Sequence, residues 1–483
     1  MCGITGLICL KGQDCSFELV HAMTALKHRG FNGFGLQVEE ENLKAENLKE
    51  LYGKKLPGNL GIACNRLAVT GEGLQPFQSC DRKISLVHNG EIYNYLEIKE
   101  ELKLHKFESN TDSEIIVHFL EEQLSKGKTL EKAVHEFMQK ARGSYAVILK
   151  IGEELYAFRD FVGVRPLWFG TNNDFLAVSS EPKPLRKINI IYPQPLLPGH
   201  LLKLSSKGTE LGKIFTIQDF RKSIPKKTSL NELKNSLLEA VEIHTRNVKK
   251  CGVFFSGGLD SSIVAKLVSE KVKNLELITV GLQDSEDIVS SEIVAKELDL
   301  KFSPRIVEKD ELPGYVLRCL EHLPFFDQMQ LEIGLVEFIA SEHAFTKGLK
   351  VCFSGQGSDE IFAGYSYYKD AFKSGGEKSV EEMQWGSLDN IWSRNLMRDD
   401  LMAMANTVEI RLPFLDSEFL KHAMALPVKE KIFSAQDELR KHALRKIALE
   451  LGVPKIAAEK PKKALQYGSG LGKEIKKLFS KKS

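Results

Sequence analysis

From residue 1 to about 205, apolar positions fall in short runs broken by glycine-containing turns: MCGITGLICL, LGIACNRLAV, KISLVHNGEIYNY, SYAVILKIGEELYAFRD and PLWFGTNNDFLAVSSE. Runs this short, rich in β-branched and aromatic residues, predict strands. Helical stretches interrupt them, FELVHAMTALKHRG first and then SEIIVHFLEEQLSKG with TLEKAVHEFMQKARG. The pattern predicts a sheet-rich α+β domain, closed by YPQPLLPGHLLKL. The polar stretch FTIQDFRKSIPKKTSL reads as linker, giving domains 1–215 and 216–483. From about residue 230 the rhythm changes to strand–helix alternation. LNELKNSLLEAVEIHTRNV is helical, GVFF a strand, SIVAKLVSEKV a helix, LELITVGL a strand, IVSSEIVAKELDL a helix, and KFSPRIV and LKVCF are strands. Alternation of this kind predicts an α/β doubly wound parallel sheet, followed beyond 365 by a mostly helical C-terminal part.

Composition narrows the function classes. The chain has 483 residues, with 67 basic against 65 acidic side chains, a balance that argues against nucleic acid as a partner. No run approaches the length of a membrane span, and the apolar start lacks a basic leader, so it reads as a strand and not as a signal peptide. The eight cysteines form no CxxC pair, which gives zinc and redox motifs little support. Free thiols in a reducing cytoplasm are the expectation.

Three stretches carry chemistry. Cys2 follows the initiator methionine. Trimming of Met1 would leave one residue with a thiol and a free α-amine, whose reference pKa values of about 8.5 and about 7.7–8.0 suit nucleophilic catalysis near neutral pH. An incidental apolar strand residue is the alternative. FFSGGLDSS places two glycines and three serines between a buried strand and a helix N-terminus, an anion cradle. It lacks the GK[ST] of a Walker loop. Asp260 inside such a cradle would repel phosphate unless a divalent cation intervenes, which implies Mg²⁺; otherwise it is an N-cap. VCFSGQGSDEIFAGY repeats the logic about a hundred residues later. Strand ends of an open parallel sheet share one crevice, so both turns can face one pocket.

SGGLDSS is similar to the pyrophosphatase loop of ATP pyrophosphatases. The Met-Cys-Gly start, with HRG, RLAV, HNGEIYN and TDSE, resembles class II glutamine amidotransferases. In this order, and with SGQGSDEIFAGY, MANTVEIRLPFLD and KPKKALQYGSG, they resemble the glutamine-hydrolysing asparagine synthetases over nearly the whole chain. The resemblance implies an N-terminal-nucleophile sandwich of antiparallel sheets ahead of the synthetase domain. It makes Cys2 the glutaminase nucleophile and Asn89 with Gly90 the oxyanion hole. Arg66, Glu91 and Asp112 become glutamine-binding residues, although Asn89-Gly90 also reads as a hairpin turn and Asp112 as an N-cap. In the second domain it implies pyrophosphate and Mg²⁺ contacts at Ser256, Gly257, Gly258, Asp260, Ser261 and Ser262. Phe254 and Val280 would line the adenine pocket, with Ser354 and Gly355 as further ATP contacts. Asp359 would join Asp260 at the metal, and Asp359, Tyr365 and Lys462 would surround the acyl-adenylate; KPKK also offers Lys463, but spacing to the following Gly-Ser favours Lys462.

The reaction implied is aspartate, ATP, glutamine and water to asparagine, AMP, pyrophosphate and glutamate, in a cytoplasmic ligase of asparagine biosynthesis. Ammonia would pass internally between the sites. Small-molecule substrates are the expected partners, without membrane or nucleic acid, and a homodimer is allowed. Three departures stand out. Gln356 stands where the better-known members carry a glutamate tied to the adenylate step, although SGQG also occurs in the family; Phe31-Asn32 replaces Pro-Asp after HRG, and Asn395 lies about where an acidic residue is usual. A neutral amide cannot be a general base, so Gln356 keeps open a related AMP-forming ligase that amidates a different carboxylate.

Overall fold

The computed structural model describes residues 1–461 and 468–480. The chain divides into two compact units, Met1–Phe220 and Arg221–Ser483.

The first unit holds two antiparallel sheets. One runs edge to edge through Gln194–Pro195, Trp168–Thr171, Phe175–Ser179, Cys2–Cys9, Leu60–Arg66, Phe34–Val38 and Glu41–Ala45. The other runs through Gly208–Lys213, His200–Ser205, Glu154–Arg159, Gly143–Ile151, Ile84–Ile92 and Phe77–Gln78. Their facing side chains form a shared core that includes Ile4, Ile8, Ile62 and Val178 from the first sheet and Val87, Ile148, Leu155 and Leu202 from the second. Strand Cys2–Cys9 is buried along its whole length. Its other face meets helix Ser16–Ala25, which explains why CGITGLIC is apolar throughout and does not alternate. The expected linker begins later than its polarity suggests. Phe215, Ile217 and Phe220 are buried, and Phe220 stacks on Phe161 at 4.8 Å, so this aromatic start belongs to the first unit.

The second unit carries a five-stranded sheet in the order Lys301–Ile306, Asn274–Gly281, Lys250–Phe254, Val351–Phe353, Glu409–Arg411. Every pairing is parallel. Strand order reverses between Lys250–Phe254 and Val351–Phe353, the neighbours that run into the two glycine-rich turns. That reversal is where an open α/β sheet binds its ligand. Two elements escape the sequence pattern: the short strand Glu409–Arg411 and the helix Gln328–Thr346, whose buried residues are spread around its circumference. Among the described residues no helix is long and apolar enough to cross a membrane.

Candidate active sites

In the first unit, Cys2 pairs across the sheet with Arg66. The second sheet brings strand Ile84–Ile92 against it, and the Cys2 N–H donates to Asn89 Oδ1 at 2.9 Å. Asn89 Nδ2 is left buried with no hydrogen-bond partner, an orphaned donor beside the Cys2 thiol and a feature an oxyanion hole requires. Asn89 and Gly90 sit within a strand paired to Gly143–Ile151, so the hairpin reading of this dipeptide does not hold. Gly90 has φ +146°, and a Cβ there would collide with the Ser144 carbonyl. Only glycine fits.

The Cys2 thiol accepts a hydrogen bond from Cys64. With help from the N-terminal ammonium, the Leu67 amide and Arg66, this draws it well below the ordinary thiol value against burial. Cys64 moves up, chiefly through burial. Residues of the HRG motif hold the Cys2 backbone: Arg29 Nε donates to the Cys2 carbonyl at 3.3 Å, and Glu181 pairs with Arg29 at 2.8 Å and His28 at 2.9 Å. Asn32, one of the departures, joins the same wall through Oδ1, which accepts from the Ala68 amide at 3.0 Å.

Around the pocket, Arg66 donates to the Gly71 carbonyl at 2.6 Å, and Thr70 Oγ1 donates to Glu91 at 2.5 Å. Asp112 Oδ2 accepts from the Ile92 amide at 2.9 Å, which ties it to the Asn89 strand; the cap of the following helix is Ser113. Sequence reasoning missed Gln75. Its Oε1 accepts from the His88 amide at 2.5 Å, while its Nε2 donates to the His88 carbonyl at 3.0 Å and approaches Cys2 Sγ at 3.8 Å. A neutral amide flanked by turn residues gives no periodic signal that would reveal such a role.

In the second unit, a cleft of about 1170 Å³, counting its open mouth, lies at the sheet's reversal point. Phe254, Ser256, Gly258, Asp260, Ser261, Val280, Ser354, Gly355, Gln356 and Asp359 line it. Gly257, Ser262 and Tyr365 do not. Gly257 supplies the turn with φ +62°, Ser262 is wholly buried, and the Tyr365 hydroxyl donates to Glu360 at 3.0 Å. Lys462 lies outside the described residues. Gly258 caps the helix Leu259–Lys271, so Asp260 and Ser261 occupy its first turn and Asp260 is not its cap. A Cβ on Gly355 would come within 2.8 Å of Asp260 Cβ, so the two glycine-rich turns touch.

Between them the structure places a cation that sequence reasoning did not anticipate. Lys441 Nζ lies 2.7 Å from Asp260 Oδ2, 2.7 Å from Asp359 Oδ1 and 3.1 Å from Ser358 Oγ. The lysine is buried and adopts φ +52° in the turn before helix His442–Glu450. The two carboxylates therefore converge on one point, held in the protein's own structure by an ammonium.

Gln356 Nε2 donates to Asp399 Oδ2 at 2.8 Å, and Arg398 holds the other Asp399 oxygen at 2.6 Å. Glu337, a cleft residue, has its Oε2 buried without a hydrogen-bond partner. Burial, then the Asp399 charge, raise its carboxyl well above the usual range. Glu360, adjacent to Asp359, is pushed up to about 7 by burial and then by the Asp359 charge. Its Oε1 accepts from Tyr365 and from Asn395 Nδ2, each at 3.0 Å, and its Oε2 has no hydrogen-bond partner.

Comparison with known proteins matches both units. The family model described as asparagine synthase matches residues 232–377 and 372–481, and that of a glutamine amidotransferase domain matches residues 1–195. A putative glutamine-hydrolysing asparagine synthetase 1 of Methanocaldococcus jannaschii is 33% identical over 100% of this chain and 96% of its own length. Asparagine synthetase 2 of Oryza sativa subsp. japonica is 30% identical over 89% of this chain and 70% of its own. The Rattus norvegicus asparagine synthetase is 28% identical over 97% and 84%.

Proposed function

Since the chain belongs to the glutamine-hydrolysing asparagine synthetase family, we propose the following division of labour among its residues. The protein is a glutamine-dependent, AMP-forming amide ligase: aspartate, ATP, glutamine and water become asparagine, AMP, pyrophosphate and glutamate. With Met1 removed, the Cys2 thiolate attacks the side-chain amide of glutamine. Asn89 Nδ2 and the Gly90 N–H receive the oxyanion. The Cys2 α-amine, positioned by Asn89 Oδ1, passes the proton to departing ammonia, and water then cleaves the γ-glutamyl thioester. Arg66 takes the substrate α-carboxylate, and Glu91 and Asp112 its α-amine. The observation that carries this reading is the orphaned Asn89 Nδ2 beside Cys2.

In the synthetase unit, ATP lies with its base against Phe254 and Val280. Its phosphates rest at the N-terminus of helix Leu259–Lys271, where unpaired N–H groups and the helix dipole favour anions. Aspartate attacks the α-phosphorus through its β-carboxylate, and ammonia then displaces AMP from the β-aspartyl adenylate. The hard oxygen donors of Asp260, Asp359 and Ser358 fit Mg²⁺, because both carboxylates aim at the single point that Lys441 holds. Those two carboxylates would hold the ion, and bound there it supplies neutralisation of phosphate charge. Gln356 acts as a donor that orients Asp399. The proton shed by attacking ammonia goes to Glu360, whose range near neutrality suits it to accept one. A cytoplasmic location is in keeping with eight free cysteines, seven of them buried.

Exchange of labelled pyrophosphate into ATP tests the acceptor. Aspartate-dependent exchange is expected. Exchange with another carboxylic acid and none with aspartate would reassign the acceptor while leaving the ligase chemistry in place.

A further inference from the structure

Away from the glutaminase pocket, the first unit gathers four metal-ligating side chains from three places in the sequence. Cys80 follows strand Phe77–Gln78, His105 follows helix Tyr95–Glu101, and His118 and Glu121 lie one turn apart on helix Glu114–Ser125. Their ligand atoms all fall within 4.8 Å of one another. Cys80 Sγ is 3.7 Å from Nδ1 of both His105 and His118, and Glu121 Oε2 is 3.1 Å from each of the same two nitrogens. Tetrahedral zinc with ordinary bond lengths puts sulfur and nitrogen roughly 3.6 Å apart, and nitrogen and oxygen roughly 3.4 Å apart. Four of the six edges of the cluster therefore lie close to those of a zinc tetrahedron, with nitrogen and oxygen slightly nearer than in the bound state.

The ring orientations point the same way. Both imidazoles turn Nδ1 inward, and both turn Nε2 to a carboxylate: His105 to Glu122 at 3.4 Å and His118 to Glu114 at 3.5 Å. With Nε2 facing a carboxylate, each ring can present an Nδ1 lone pair inward, the arrangement that orients metal-bound histidines. A thiolate and a carboxylate balance one dication, and the thiol proton leaves to solvent on binding. His118 is 2% exposed, whereas Cys80 is exposed and gives an ion access.

We propose that Cys80, His105, His118 and Glu121 bind one Zn²⁺ in a closed, structural site. Four protein ligands leave no open position for chemistry. The ion clamps the turn at Cys80 and the segment after His105 onto helix Glu114–Ser125. That segment leads into Asp112 and Ser113, which bond to Ile92 and His88 on the strand carrying Asn89. The zinc therefore anchors one wall of the pocket that faces Cys2.

The test uses the full-length protein. Elemental analysis is expected to find about one zinc per chain. Protein stripped of metal and titrated with Co²⁺ alone should develop the strong visible bands of tetrahedral cobalt with a thiolate-to-metal charge-transfer band. In Cys80→Ser, a change at an exposed position, the charge-transfer band should vanish. In Glu122→Gln metal affinity should fall about 10–100-fold. Backbone hydrogen exchange over residues 102–113 should speed up on metal removal and recover when zinc is returned. Absence of any cobalt band in the unaltered protein overturns the proposal. So does a bound metal whose amount and spectrum are the same in Cys80→Ser.

Discussion

Glu360 offers a prediction whose size follows from its surroundings. Burial and the neighbouring Asp359 hold its carboxyl near 7 against an ordinary 4.5, while Tyr365 and Lys441 pull the other way. At roughly 1.4 kcal/mol per pKa unit, that difference amounts to about 3 kcal/mol. Below an ordinary carboxyl pKa the group is protonated in folded and unfolded chains alike and costs nothing. Between 4.5 and about 7 only the unfolded chain ionises, so stability falls as pH rises, and above 7 the full penalty persists. Glu360→Gln removes the titration. Relative to the unaltered protein, the variant should gain stability progressively from about pH 5 to about pH 8, by up to about 3 kcal/mol. Hydrogen exchange of the backbone amides that follow Glu360 measures this, since it reports the opening energy of that segment. The same variant should slow ammonia-dependent synthesis by about 10²–10⁴-fold and leave pyrophosphate exchange largely intact. A gap between the two proteins that is constant across pH would show that Glu360 does not titrate near neutrality. Unimpaired synthesis would remove it as the proton acceptor.

Other outcomes follow from the same contacts. Cys2→Ala should abolish glutamine-dependent synthesis and spare ammonia-dependent synthesis; equal loss of both would contradict the assignment of the two chemistries. Asn89→Ala should lower glutaminase kcat by about 10²–10³-fold with little change in KM, as expected for a donor used only by the oxyanion. Mass spectrometry paired with glutamate release should show activity only in chains that have lost Met1, because an acylated Cys2 nitrogen is no longer a base. Lys441→Met should destabilise the synthetase unit by about 3 kcal/mol by leaving the buried Asp359 and the half-buried Asp260 facing each other. Added Mg²⁺ should raise its melting temperature more than that of the unaltered protein, and an equal response in both would argue that the carboxylates do not form a cation site.

What could be read from the sequence depended on how locally each feature is encoded. The glycine-rich turns declare themselves because strand, turn and helix are contiguous, and their pairing at one crevice follows from strand order in a parallel sheet. Cys2, Arg66 and Asn89 stood out as individual residues, but the amide that joins Cys2 to Asn89 required the register of two sheets. Lys441 had no local signature. It reaches Asp260 across 181 positions of chain, and its left-handed backbone is visible only once the turn is built. Cys80, His105 and His118 are too far apart in the sequence to form a spacing motif, so the cluster proposed as a zinc site leaves no signature there. Gln356 is the most informative case. Read alone, it is a lost carboxylate. In the structure its amide donates to Asp399 at 2.8 Å, and Asp399 is itself held by Arg398, with Glu337 close by. A glutamate at 356 would face another carboxylate across that distance, and one of the pair would have to keep a proton. An amide at 356 avoids that conflict by donating to Asp399, and the proposal accordingly gives the acid–base work to Glu360.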